Sequence, residues 1–260
     1  MTALPTKRDE AWRYSDLKAL ERIWPVPVPD KVIVPAGKTE RLSLVQGAPT
    51  DQTVVRDFTI EVGVGASFAM QLINAGGQFG RVALDVTLYE GALFELDAAM
   101  IAGGEQTIEL VTIVRHFEAN ATSRQTVRSI AGGKGTVSYL GKVAVSRDAQ
   151  KTDASQSVKA MLLDRSATAN AKPELEIFAD DVKCAHGATV GELDAQALFY
   201  LASRGLPPGE AKALLLRAFV SGMFDGSEDE ARFTAAIDAA LERVLIPLPL
   251  AGGAREGADI

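Results

Sequence analysis

At 260 residues the chain can bury one large core or two modest ones, and its 47% hydrophobic and 23% charged content is that of an ordinary globular protein. A net charge of -7, from 34 acidic against 27 basic residues with no basic block, argues against a nucleic-acid partner held through its phosphates. No apolar run approaches the roughly 20 residues a bilayer demands, and the charged start, Met1 to Asp16, lacks the apolar stretch of an export signal. The single cysteine allows no internal disulfide and suits a reducing compartment, so the expected location is cytoplasmic, with no membrane partner.

In chain order, the first predicted element is a short helix over Asp9 to Leu20, with Trp12 and Leu17 available for packing. Trp24-Pro25-Val26-Pro27-Val28-Pro29 follows. Each proline fixes φ and removes a donor, so residues 1–40 read as a helix plus an extended connector.

Residues 41–191 read as a β-core, clearest from Gln52 to Val190. Val82, Leu84, Val86 and Leu88 share one side of a strand, with Arg81, Ala83, Asp85 and Thr87 on the other. Val137 with Tyr139 and Leu175 with Ile177 repeat the alternation. Turn residues recur at Gly63, Gly76, Gly91, Gly103, Asn120 and Gly132. Those intervals are wide for tight hairpins and suit stacked strands joined by bends, so periodicity leaves β-solenoid and β-sandwich both open.

Residues 192–247 read as a helical domain. A first helix spans Asp194 to Arg204 and stops at Gly205 before Pro207-Pro208. A second carries the stripe Ala211, Leu214, Leu215, Ala218 and Phe219. A third opens with Ser227 and Glu230 in capping-box spacing. It presents Phe233, Ala236, Ile237, Ala240, Leu241 and Val244 on one face and ends before Pro247. The Gly- and Ala-rich tail, 248–260, is expected to be disordered.

The chemistry concentrates at Cys184-Ala185-His186, where the lone cysteine meets one of two histidines. On an extended strand the two side chains share a face about 6.5 Å apart, too far for a ready nucleophile–base hydrogen bond. The spacing suits two ligands of one metal cluster, thiolate and imidazole being donors that iron–sulfur chemistry uses. Two ligands leave such a cluster incomplete, so a second chain must supply the rest. His116, between Arg115 and Glu118, reads as a solvated strand-end residue, and Asp180-Asp181 as a turn. Gly76-Gly77 and Gly132-Gly133 lack the spacing and the following Lys-Ser/Thr of a phosphate loop, so no ATP hydrolysis is expected of this chain.

The run Glu174-Leu-Glu-Ile-Phe-Ala-Asp-Asp-Val-Lys-Cys184-Ala-His186-Gly-Ala-Thr-Val-Gly-Glu-Leu-Asp194, continuing through Leu198-Phe-Tyr-Leu-Ala-Ser-Arg-Gly205, closely resembles the SufB/SufD family of iron–sulfur cluster assembly scaffolds. Cys before His-Gly-Ala-Thr resembles its SufD branch. Ala149-Gln-Lys-Thr-Asp-Ala154 with Gln156, and Glu10-Ala-Trp-Arg-Tyr-Ser-Asp-Leu17, agree. The resemblance implies a right-handed parallel β-helix followed by a C-terminal helical domain, in a non-catalytic scaffold. It also implies a SufB-like partner on the β-helix, SufC-like ATPases on the helical domain, and a nascent cluster or iron shared at Cys184 and His186. A homodimer of the same fold is an alternative. Reduced flavin accompanies some members, although no flavin motif is present here.

Two features depart from the family pattern: the region before the β-core is short, and Ala185 stands where Ser is frequent. Arg204, Lys212 and Arg217 mark the expected ATPase-facing surface. Outside the family, a β-helix carbohydrate-active enzyme and a transferase using Cys184 as nucleophile are the competing readings.

Overall fold

Alternating strands from Asp30 to Glu192 wind into a two-sheet parallel β-solenoid in the computed structural model, which describes residues 3–245. One six-stranded sheet stacks β1 (Asp30–Val34), β3 (Thr53–Val62), β5 (Phe79–Leu88), β7 (Thr107–His116), β9 (Thr136–Val145) and β11 (Thr168–Ile177). The other stacks β2 (Thr39–Gln46), β4 (Ser67–Asn74), β6 (Leu93–Ala102), β8 (Thr122–Ala131), β10 (Asp153–Leu162) and β12 (Lys183–Glu192). Of the two β architectures left open by periodicity, the chain adopts the solenoid. Its rungs begin at Asp30, inside the stretch read from sequence as connector.

The period-two pattern explains the interior. Val82, Leu84, Val86 and Leu88 all point into the core, and Ile60, Val86 and Val114 align as one ladder. No single rung can seal its own apolar face, so stability comes from stacking neighbours. One corner is shaped by a column of left-handed residues, Gly37, Gly65, Gly91, Asn120 and Lys151. Each sends its N–H to a carbonyl of the next coil, at 2.9, 2.8, 3.0, 2.9 and 2.6 Å.

The outer faces are covered differently. Over the odd-numbered sheet lies the N-terminal segment, a 3₁₀ turn at Glu10–Trp12 and α1 (Leu17–Glu21). A continuous Asp9–Leu20 helix does not form. Ser15 leaves the helical path to donate to the Glu109 carboxylate at 2.7 Å, and Asp16 then caps a new helix by accepting from the Ala19 N–H at 3.0 Å. Arg81, on the solvent side by alternation, is buried here. It bonds Glu109 at 3.1 Å and the Ala11 carbonyl at 2.8 Å, under the Trp12 ring.

Three helices follow: α2 (Ala195–Ser203), α3 (Pro208–Ser221) and α4 (Glu230–Leu245). Helices α3 and α4 pack Leu216, Val220, Phe233, Ile237, Leu241 and Val244 onto Ile73, Ile101 and Ile130 of the even-numbered sheet. Each such burial contributes about 1.5–3 kcal/mol. Gly132 lets α4 come close, since a Cβ there would lie 2.6 Å from Val244. The α4 stripe matches the sequence pattern. The α3 stripe does not: Ala211, Leu216 and Val220 are buried, while Leu214 and Ala218 are exposed. Three consecutive leucines, 214–216, satisfy a helical period in more than one phase, and contact with the sheet selects the one through Leu216. Before α4, Glu230 accepts from the Gly226 N–H at 2.9 Å, and Ser227 accepts from the Asp229 N–H at 3.2 Å. Pro247 and the tail 248–260 lie outside the described residues.

Candidate functional site

Strand β12 is the terminal rung of its sheet: it pairs with β10, and no strand among the described residues covers its other edge. Cys184 and His186 stand opposite Ala154 and Gln156 of β10, on the inward side of the alternation. Cys184 is half-buried against Val143, Val145, Ala154 and Ala179, whereas His186 is exposed.

Burial pushes the Cys184 thiol above its ordinary range, an interaction with the Ala154 backbone opposes this, and the nearby Asp153 carboxylate adds to the rise. A protonated thiol is a weak nucleophile, which disfavours a transferase. It becomes a ligand when an incoming cation displaces the proton. Among the described residues no cluster of three or more His, Cys, Asp or Glu side chains is arranged to hold a metal ion.

Below this pair the interior changes character. One inward ladder runs Phe68, Phe94, Ser123, Ala154, Cys184, and its neighbour runs Met70, Leu96, Gln125, Gln156, His186. The second turns from apolar to polar at β8, where the first carries Ser123 before returning to Ala154. Thr112 donates to Gln125 Oε1 at 2.8 Å, the Tyr139 hydroxyl donates to the same oxygen at 3.2 Å, and Gln156 Nε2 donates to the Tyr139 hydroxyl at 3.1 Å. Gly141 makes room for the tyrosine, since a Cβ there would lie 2.1 Å from the hydroxyl. Sequence reading missed this tract and met Gln156 only through the resemblance. The available signal was polar residues at inward positions of successive rungs.

His116 overturns its sequence assignment. It is fully buried, with Nε2 2.9 Å from Ser123 Oγ, and burial lowers its pKa to about 4. His116 is on the inward side of the alternation with Leu110, Thr112 and Val114, whereas Phe117 at the following corner is exposed. Asp181 belongs to a corner, as expected: its N–H donates to Gln150 Oε1 at 2.9 Å and its carboxylate meets Lys151 at 2.5 Å.

The terminal rungs expose apolar side chains, with Ile177, Phe178 and Val190 at 39%, 63% and 46% exposure. Strand β12 carries charge only at Lys183 and Glu192, whereas β11 is guarded by Lys172, Pro173 and Glu174. An edge without charges, prolines or bulges is a template for strand pairing. Helix α2 likewise buries none of its residues and exposes Phe199 and Tyr200. Arg204 lies over the Tyr200 ring at 5.3 Å, Lys212 lines a shallow cleft with Glu192 and Leu198, and Arg217 is tied to Asp238 of α4 at 2.7 Å.

A cleft of about 430 Å³ lies between the even-numbered sheet and the α3–α4 connection. It contains neither Cys184 nor His186. Its carboxylates, Glu95, Asp97, Asp225, Glu228 and Asp229, would repel a flavin phosphate, so it does not fit that group. No helix among the described residues is long and apolar enough to cross a membrane.

The fold is thus a parallel β-solenoid whose last described rung bears one thiol and one imidazole on an uncovered edge. The chain belongs to the family described as SUF system FeS cluster assembly, SufBD core domain, whose model matches residues 31–219. It is 33% identical over 141 residues to the iron–sulfur cluster assembly protein SufD of Escherichia coli. That match covers 54% of this chain and 33% of the relative. It is 36% identical over 154 residues to a SufBD family protein of Synechocystis, covering 59% and 34%. To the chloroplastic protein ABCI7 of Arabidopsis thaliana it is 36% identical over 155 residues, covering 59% and 33%. The matched region thus spans about a third of the length of these relatives.

Proposed function

We propose that this chain is a non-catalytic, SufD-like scaffold in iron–sulfur cluster assembly, acting in the cytoplasm, with its solenoid wound right-handed. The uncovered edge of β12 carries the reading: an almost uncharged strand presents Cys184 and His186 beside exposed Val190 and Phe178. A SufB-like chain would add its own strand there, cover these apolar groups and supply the missing cluster ligands. SufC-like ATPases would dock on the helical end, where Phe199, Tyr200 and Arg204 of the α2 region and Lys212 of α3 offer an apolar and cationic surface. Arg217 is the weakest member of that surface, because Asp238 already engages it.

Iron and sulfide are the cargo. Cys184 contributes sulfur once the cargo cation displaces its proton, and His186 contributes a nitrogen on the same strand face. ATP-driven movement of the helical end would shift the paired solenoids and open the shared rung. The uncharged β12 edge also suits pairing with a second copy of the chain, and native mass determination separates this homodimer from the heteromer.

The decisive experiment is anaerobic purification of the complex from native extract, with iron and sulfide counted. Cys184→Ala and His186→Ala are expected to leave assembly intact and to abolish cluster accumulation. Normal cluster content in the His186→Ala complex would remove this residue from the site.

A further inference from the structure

Gln156 stands one rung below His186 and is 3% exposed, beside the 1%-exposed Gln125. Its amide is held from one side, since Nε2 donates to the Tyr139 hydroxyl at 3.1 Å and that hydroxyl donates to Gln125 Oε1, which also accepts from Thr112. The other end of the amide has no such support: Gln156 Oε1 is a buried acceptor without a hydrogen-bond partner, and on the rung below the Gln125 Nε2 donor is likewise unpaired. Buried polar atoms are paired in the great majority of cases, and an orphan beside an unfinished site calls for a donor. On the adjacent rung, about 4.8 Å away, His186 occupies the register position paired with Gln156. Neutral imidazole has one N–H to give and one nitrogen lone pair to keep.

We propose that Gln156 is the positioning residue for His186. In the assembled complex its Oε1 accepts the N–H of one ring nitrogen, which fixes the tautomer and turns the other, unprotonated nitrogen toward the incoming iron. Metal-binding histidines are ordinarily oriented by such an acceptor on their second nitrogen. Here the acceptor is supplied from inside the solenoid, and its own orientation is set by the Thr112–Gln125–Tyr139 network. This account also gives that buried polar tract a role: it holds one amide oxygen still, at the base of the open rung. The inference rests on His186 being an iron ligand, but the hydrogen bond itself can be observed without iron.

The chain has two histidines, so labelling it with ¹⁵N-histidine and assembling it with its unlabelled native partners gives two imidazole signals. His116, buried and bonded to Ser123, serves as the internal check that a variant remains folded. In the wild-type complex His186 is expected in one dominant tautomer. Gln156→Met, which keeps the length and removes the acceptor, is expected to return it to a mixture. It should also weaken anaerobic iron(II) binding by the complex about 10- to 100-fold. Gln156→Glu, which keeps an acceptor, is expected to hold the same N–H. Identical His186 tautomer populations in wild type and Gln156→Met, with the His116 signal unchanged, would overturn the proposal. Unaltered iron binding in His186→Ala would instead remove the ligand reading and leave the hydrogen bond to be judged by the imidazole signals alone.

Discussion

The middle coils and the terminal rungs are built from the same alternation, yet they meet opposite environments. In the middle, Phe68 and Phe94 stack at 6.2 Å inside a sealed apolar core, while α3 and α4 cover the outer face. At the end, β12 keeps the alternation but has no next rung among the described residues, and every residue except Cys184 is largely exposed. A solenoid rung therefore contributes stability in proportion to its neighbours, and a rung with one neighbour is left free for a different task. The polar change at β8 marks the passage between the two regimes, well before the surface is reached.

The contrast is broken most directly by truncation. Phe94→Ala is expected to destabilise the chain by about 3–5 kcal/mol, and Val190→Ala by no more than about 0.5 kcal/mol, in chemical denaturation. Equal losses would mean that the last rung is as sealed as the middle.

Acid provides a second probe. His116 has a folded pKa near 4, below the ordinary 6.5, because burial favours its neutral form. The unfolded chain therefore binds the proton more readily between these values. Stability attributable to His116 is complete above about pH 6.5 and falls by about 3 kcal/mol as pH drops toward 4. His116→Gln should flatten that part of the stability–pH profile, and an unchanged slope would place the effect elsewhere.

A smaller effect separates folding from assembly. Phe178→Asp puts a charge on the exposed edge and is expected to leave the isolated chain within about 0.5 kcal/mol of wild type. Partner affinity should fall at least tenfold, about 1.4 kcal/mol, in a titration of the purified chains. A loss of monomer stability without a loss of affinity would show that this edge is interior packing rather than interface.

Local chemistry made much of this legible. Alternation placed Val82 to Leu88 in the core, Asp194 and Gly205 bounded α2, and the α4 stripe from Phe233 to Val244 matched its buried face. Sequence proximity joined Cys184 to His186, and the surrounding string carried the family resemblance. The errors occurred where two distant segments compete for one surface. Arg81 looked solvent-facing until Trp12 covered it, and contact with the sheet set a different phase for α3, whereas His116 simply follows the alternation of Thr112 and Val114 inward.

By itself the sequence determined the periods, the turn positions and the thiol–imidazole pair, because these depend on neighbours a few residues apart. Only the tertiary structure decided which rung lacks a partner and which buried amide lies beneath His186. Stacking brings together residues a whole coil apart, such as Gln125, Gln156 and His186, and no local pattern encodes that register.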